Sequence, residues 1–193
     1  MSELPPILQR VQAKGFAAFE SGAWNVNIVG VRSPSRIPND FDDRLHLVYK
    51  DEFGAWQDHN FRITTDPGTY WLDHPSRVEG TAILVPGQYR GAYKIDKHRG
   101  KYDALCQRAG KVKVYRDGNK DEILDQAPET ITEGYFGINI HHASHSGEST
   151  EVNRWSAGCQ VFSDILEWNI FMAVIWKAAE TWGSRFSYTL LED

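Results

Sequence analysis

Cysteine is scarce: two in 193 residues leave no basis for a disulfide-stapled secreted scaffold. Long apolar runs are missing as well, since no stretch reaches the roughly 18 consecutive apolar residues of a membrane-spanning helix. Positive charge is in deficit. The 21 Lys and Arg face 26 Asp and Glu, for a formal net charge of -5 and a pI near 5.8. That balance argues against a nucleic-acid binder that works by phosphate neutralisation. No internal repeat, low-complexity tract or linker interrupts the chain. What is present is the composition of a soluble globular protein: 41% hydrophobic, 24% charged, and an aromatic share of 12% that is richer than usual. A chain of this length suggests one domain with a small attachment, able to bury a core without disulfides.

No export leader is legible at the N-terminus. Met1-Ser2-Glu3 is not a basic start, and residues 4–19 are amphipathic rather than continuously apolar. The expectation is a chain that stays in the cytoplasm of the producing cell, with no membrane and no nucleic-acid partner.

Pro5 and Pro6 suit a first helical turn. Ile7, Leu8, Val11 and Phe16 follow at helical spacing and Gly22 is a stop, which predicts a short helix over 6–20 that clips onto the domain. From Trp24 the period changes to two. Strands are predicted at 26–31, 45–49, 56–65, 81–85, 91–95, 111–115, 135–141 and 186–191, the second and third joined as a hairpin by Asp51-Glu52-Phe53-Gly54. Residues 33–40 and Asp117-Gly118-Asn119 read as turns. Along 135–141, Phe136, Ile138 and Ile140 point one way and Gly137, Asn139 and His141 the other. Ser163 can cap a long helix over 165–182, with Asp164 at its positive end and Gly183 as its stop. That helix is apolar over much of its surface, so it is predicted to be a buried core helix, with Trp168, Trp176 and Trp182 in the core. The predicted class is mainly β, with one short helix early and one long helix late. Residues 1–23 form an N-terminal helical segment and 24–193 the main domain.

Reactive side chains concentrate in His141-His142-Ala143-Ser144-His145, followed by Trp155-Ser156-Ala157-Gly158-Cys159. A cysteine beside a glycine at a strand-to-helix junction can carry a nucleophile, because a nearby imidazole or helix N-terminus stabilises its thiolate. A histidine supplies the base. Gly158 permits a sharp turn, and the N–H groups around Gly158, Cys159 and Gln160 can point at a developing oxyanion. Cys106, in Ala104-Leu105-Cys106, reads as a small buried hydrophobe. The order of histidine before cysteine disfavours a papain-like enzyme, and Ala157-Gly158-Cys159 does not match the caspase signature. His141 and His142 face opposite sides of a strand, so only one can face Cys159. His141 is favoured, and His142 is the competing base or a substrate contact. Tyr89 and Arg90, in a loop over 86–91, are candidates to bind a substrate carboxylate. Arg154 and Trp155 are candidates for the pocket mouth. His98-Arg99-Gly100-Lys101-Tyr102 reads as a solvated turn.

Metal sites fare worse. His141, His142 and His145 lack a Glu at helical spacing for zinc. Asp117-x-Asn119-x-Asp121 has Glu122 where a calcium loop needs glycine and Pro128 where it needs the bidentate Glu. No metal or cofactor is expected.

The block His141…Ser156-Ala157-Gly158-Cys159 resembles the YkuD-type L,D-transpeptidases, which carry a histidine, a spacer and then Ser/Thr-His-Gly-Cys. Here the histidine and cysteine stand 18 positions apart. The run Gly137-Ile138-Asn139-Ile140-His141, the helix after Cys159 and the closing strand are similar to the family's. Thr64-Thr65-Asp66-Pro67-Gly68-Thr69-Tyr70 is loosely like its Pro-x-Gly-x-Phe segment. Phage and gut-bacterial proteins with this block resemble the chain from about Trp24 to Leu191. Ala157 departs from the pattern, standing where the family has a pocket-lining histidine. The resemblance implies a β-sandwich and an acyl-enzyme mechanism on peptidoglycan stem peptides. In it Cys159 is the nucleophile and His141 the base, oriented by a backbone carbonyl near Ser156. Gly158 and Cys159 N–H groups make the oxyanion hole, Gln160 lies beside it, and water or an amine captures the acyl group. The alternative is a non-catalytic cell-wall or virion-associated module that keeps the fold. An enzyme for the wall without a leader would depend on lysis, a phage route or a dedicated secretion machinery.

Overall fold

A computed structural model describes residues 3–35 and 37–192. Met1 and Ser2 of the leader reading, Arg36 of the 33–40 turn, and Asp193 lie outside the described residues. In chain order the elements are α1 (Pro6–Ala13), β1 (Asn27–Arg32), β2 (Asp43–Lys50), β3 (Trp56–Thr64), α2 (Thr69–Asp73), β4 (Thr81–Leu84), β5 (Gly87–His98), β6 (Tyr102–Gln107) and β7 (Val112–Asp117). A single 3-10 turn (Pro128–Thr130) leads into β8 (Thr132–Gly134), β9 (Ile140–His142), β10 (Gln160–Phe162), α3 (Ile165–Trp182) and β11 (Arg185–Glu192). The chain is mainly β, as its alternating pattern predicts. Where a two-sheet sandwich is expected, eight strands close into a barrel in the order β1-β11-β5-β6-β9-β10-β3-β2, and β4-β7-β8 form a small separate sheet. Among the described residues no helix is long and apolar enough to cross a membrane.

The helices correct the sequence reading in instructive ways. The first stops at Ala13 rather than at 20, because Gly15 takes a left-handed φ of +76° and Phe16 N–H turns back to Val11 O. The α1 face of Ile7, Leu8 and Val11 packs on Val29, Val31, Val48 and Leu191, so the helix does clip onto the barrel. In α3 the cap is Asp164, whose side chain accepts from Leu166 N–H at 2.8 Å. Ser163 cannot serve, since its N–H and Oγ are both engaged with Arg62 O. Trp168 and Phe171 of α3 pack against Phe61 of β3 and Phe162 of β10. Each such buried apolar side chain contributes about 1.5–3 kcal/mol. The opposite face is not core: Leu166, Ile170, Trp176 and Trp182 are exposed.

Two β predictions also shift. Residues 135–139 are irregular because Gly137 has φ +72°, and only the end of the predicted strand pairs, as β9. The loop expected over 86–91 is instead the start of the long strand β5, whose hairpin partner β6 the hydrophobic pattern did not reveal.

Candidate active site

The parallel pairing of β9 with β10 sets the geometry. Val161 lies opposite His141 and Gln160 opposite Ile140. Side chains alternate along a strand, so Val161 shares the face of His141, and Cys159 stands one residue before β10 begins. The other face, with Ile140 and Phe162, enters the main core. His142, opposite Phe162, therefore faces away from His141.

His141 is held rigidly. Its Nδ1 donates to the His142 backbone carbonyl at 2.8 Å. A carbonyl accepts only from N–H, so the ring is the Nδ1–H tautomer and Nε2 keeps its lone pair. The orienting carbonyl thus belongs to the next residue rather than to one near Ser156. Ser156 instead clamps the turn before the cysteine, donating from Oγ to Cys159 O at 2.8 Å and accepting from Gly158 N–H at 3.1 Å.

Two histidines emerge where one is expected. His98, at the end of β5, stacks on His141 with ring centroids 4.1 Å apart. Gln107 N–H donates to Asn139 Oδ1 at 2.9 Å, which turns Asn139 Nδ2 toward His98 Nδ1 at 3.1 Å. His98 is accordingly the Nε2–H tautomer. Tyr102, paired with His98 across the β5–β6 turn, places its hydroxyl 3.4 Å from both His141 Nδ1 and His142 O. Neither was legible as a site residue, because the hairpin that brings them to β9 was not predicted.

Burial sets the protonation states. It pushes the Cys159 thiol up to about 11, against the Asn139 N–H and the Arg99 charge, which pull it down. Burial, and then the neighbouring His98, hold His141 down at about 3. His98 is likewise held near 4, first by burial and then by Arg99. At rest the pair is a neutral thiol and a neutral imidazole. The sulfur donates to Gly137 O at 3.5 Å, and among the described residues no hydrogen bond joins it to the His141 ring. The imidazole can act as base only once Sγ comes within hydrogen-bond reach of Nε2.

The expected oxyanion hole is only partly available. Gly158 N–H is spent on Ser156 Oγ and Gln160 N–H on Asn139 O. Cys159 N–H donates to no group among the described residues, and it is the donor left for an oxyanion. Gly158 has φ +108°, and a Cβ there would sit 2.1 Å from the Ala82 carbonyl of β4. Gly158→Ala is therefore expected to lose about 2–4 kcal/mol of stability with most of the site's reactivity. Gly147→Ala, also at positive φ but in open space, should cost only about 1 kcal/mol of strain. Equal urea midpoints for the two variants would contradict the close approach.

Two cavities adjoin here. One of about 240 Å³ is lined by Cys159, Ala157, His98 and Arg99, among others. The other, of about 90 Å³, is lined by His141, His142, Tyr102, Arg154 and Trp155, and again by His98 and Arg99. Arg154 lies 4.0 Å over the Tyr70 ring, and its carbonyl accepts from Trp71 Nε1. So α2 shapes the loop before the nucleophile. His142 borders this second cavity with Nδ1 bound to Ser144 O.

Three predicted contacts lie elsewhere. The Tyr89 hydroxyl donates to Val85 O at 2.5 Å, and Arg90 stacks over Phe19, both away from the two cavities. Gln160 is buried, its Oε1 taken by the Tyr188 hydroxyl at 2.8 Å. The first two move because their segment is strand rather than loop, and the third because it faces the core. Cys106 is buried, with its thiol pushed up by burial. Among the described residues no group of three or more His, Cys, Asp or Glu side chains is arranged to hold a metal ion. A larger cavity of about 710 Å³, bordered by Phe16, Arg32 and Leu190, shares no residue with these two.

Comparison with family models, with curated proteins and with solved structures finds no match to this chain in any of the three.

Proposed function

We propose that the chain is a cysteine acyltransferase or hydrolase of the L,D-transpeptidase type, acting on peptidoglycan stem peptides. One observation carries the reading. Cys159 directly precedes β10, the parallel partner of the strand that carries His141, and the His142 carbonyl pins the His141 ring with Nε2 unprotonated. A thiol and a lone-pair nitrogen on neighbouring strands are the groups that a nucleophile and its base require. The cytoplasmic origin and delivery to the wall by lysis or secretion belong to the same proposal.

The chemistry balances without a cofactor. Cys159 gives its proton to His141 Nε2 as Sγ attacks the carbonyl carbon of the amide after an L-centre. The Cys159 N–H receives the oxyanion. The C–N bond breaks as His141 returns the proton to the leaving amine, and a thioester remains. Water or an acceptor amine then gives its proton to His141 and displaces the thiol.

Intact-protein mass spectrometry after mixing with a synthetic stem tetrapeptide tests this. The expected result is a tripeptide acyl adduct on Cys159, with free terminal amino acid released and neither product from Cys159→Ala. Absence of adduct and of trimming from pH 5 to 9 would overturn the enzyme reading and leave the binding module.

A further inference from the structure

We propose that the cavity over Cys159 is an anion site that takes a substrate with two free carboxylates, held by Arg77 and Arg116 at one station and Arg99 at the other. Three arginines line this cavity and no Asp or Glu does, in a chain whose net charge is -5. Among the described residues none of these three is in an ion pair, unlike Arg32, Arg62 and Arg108.

Arg116 is anchored, whereas Arg77 and Arg99 are exposed at the cavity rim. Arg116 donates to Gly80 O at 3.3 Å and to Thr132 Oγ1 at 3.4 Å, and lies 4.6 Å over the Phe136 ring. Burial first, and then the charge of Arg77, hold its proton affinity down, so the two cations feel each other. Glu79 acts on Arg116 in the opposite sense but does not line the cavity. Arg99 borders both cavities, and its charge reaches Cys159, His98 and His141. It sits at φ +49° beside Gly100 at φ +73°, in a turn that glycine or asparagine would fit with less strain.

Like charges around a small, partly desolvated space repel, and an anion relieves that repulsion. The planar guanidinium fork matches a carboxylate best. The neutral alternative, an amidated peptide, would leave the cations unpaired. The inference replaces Arg90, which points elsewhere, and rests on Cys159 being the reactive residue.

Two measurements separate this proposal from the stem-peptide reading. The first uses only the thiol: alkylation of Cys159 by iodoacetate and by iodoacetamide, followed by peptide mass analysis. Relative to N-acetylcysteine, the rate ratio is expected to shift about fivefold toward the anionic reagent, and to fall back in Arg77→Gln and in Arg99→Gly. An unshifted ratio overturns the anion site. The second measures binding of tetrapeptides to Cys159→Ala by calorimetry. The free-acid peptide should bind about tenfold tighter than its fully amidated twin, with the gap lost in Arg77→Gln/Arg99→Gly. Equal binding of the two peptides overturns the carboxylate assignment. A shifted alkylation ratio with no binding of either peptide upholds the anion site and overturns the stem-peptide reading instead.

Discussion

His141→Gln is expected to slow acyl-enzyme formation by about three orders of magnitude, and Cys159→Ala to abolish it, while both variants still fold. Glutamine can still donate to the His142 carbonyl that now holds Nδ1, so the turn keeps its anchor. It has no lone-pair nitrogen with which to take the thiol proton. The loss should therefore fall on the chemical step rather than on substrate affinity. The size of the effect follows from the resting state. With the thiol pushed up to about 11 by burial, solvent alone leaves very little thiolate at neutral pH, and the nucleophile depends on its base. The neutral pair persists between the two values, so the acid limb of the rate profile should lie near the His141 value of about 3. Single-turnover measurement of the adduct decides. A wild-type rate in His141→Gln removes it as base, and a matching loss in His142→Gln alone would transfer the role to the neighbour.

Much of this arrangement was legible because it is local. Alternation along 26–31, 45–49 and 56–65 announces β1, β2 and β3, and the spacing of apolar residues after Ser163 announces α3. The spacing from His141 to Cys159 brings nucleophile and base to mind, but it does not show the parallel register of β9 with β10 that makes their strands neighbours. Short strands of three residues carry no period to read. The second layer of the site was hidden for a different reason. His98, Arg99 and Tyr102 have the look of a solvated turn, and only the β5–β6 hairpin beside β9 gives them a place. Tyr89 and Arg90 show the converse error. A glycine-flanked polar run resembles a loop, yet here it pairs with β11. The exposed Trp176 and Trp182 show that an apolar helix need not be buried all round.

Acid should destabilise the fold through the same histidines. A histidine with a depressed folded value binds its proton in the unfolded chain first. Between the unfolded value of about 6.5 and the folded value, stability falls as pH falls. His141 does this down to about 3 and His98 down to about 4. Asp43 works in the opposite direction. Burial, and then the charge of Asp66, raise its carboxyl to about 7. The folded state therefore holds a proton that the unfolded state has released, and this contribution shrinks as pH rises toward 7. The two effects partly cancel between pH 4.5 and 6.5, so the variants reveal them better than the wild type does. Each full proton is worth about 1.4 kcal/mol per pH unit. His141→Gln should flatten the acid loss of unfolding free energy by about that slope. Asp43→Asn should steepen it by the same amount, whatever the replacement costs by disturbing the bonds from Ser33 and Thr65 N–H. Urea unfolding at pH 4.5, 5.5 and 6.5 supplies the slopes. Parallel curves for wild type and His141→Gln would mean that His141 titrates alike in the folded and unfolded chain, and that burial does not hold it neutral below about pH 6.5.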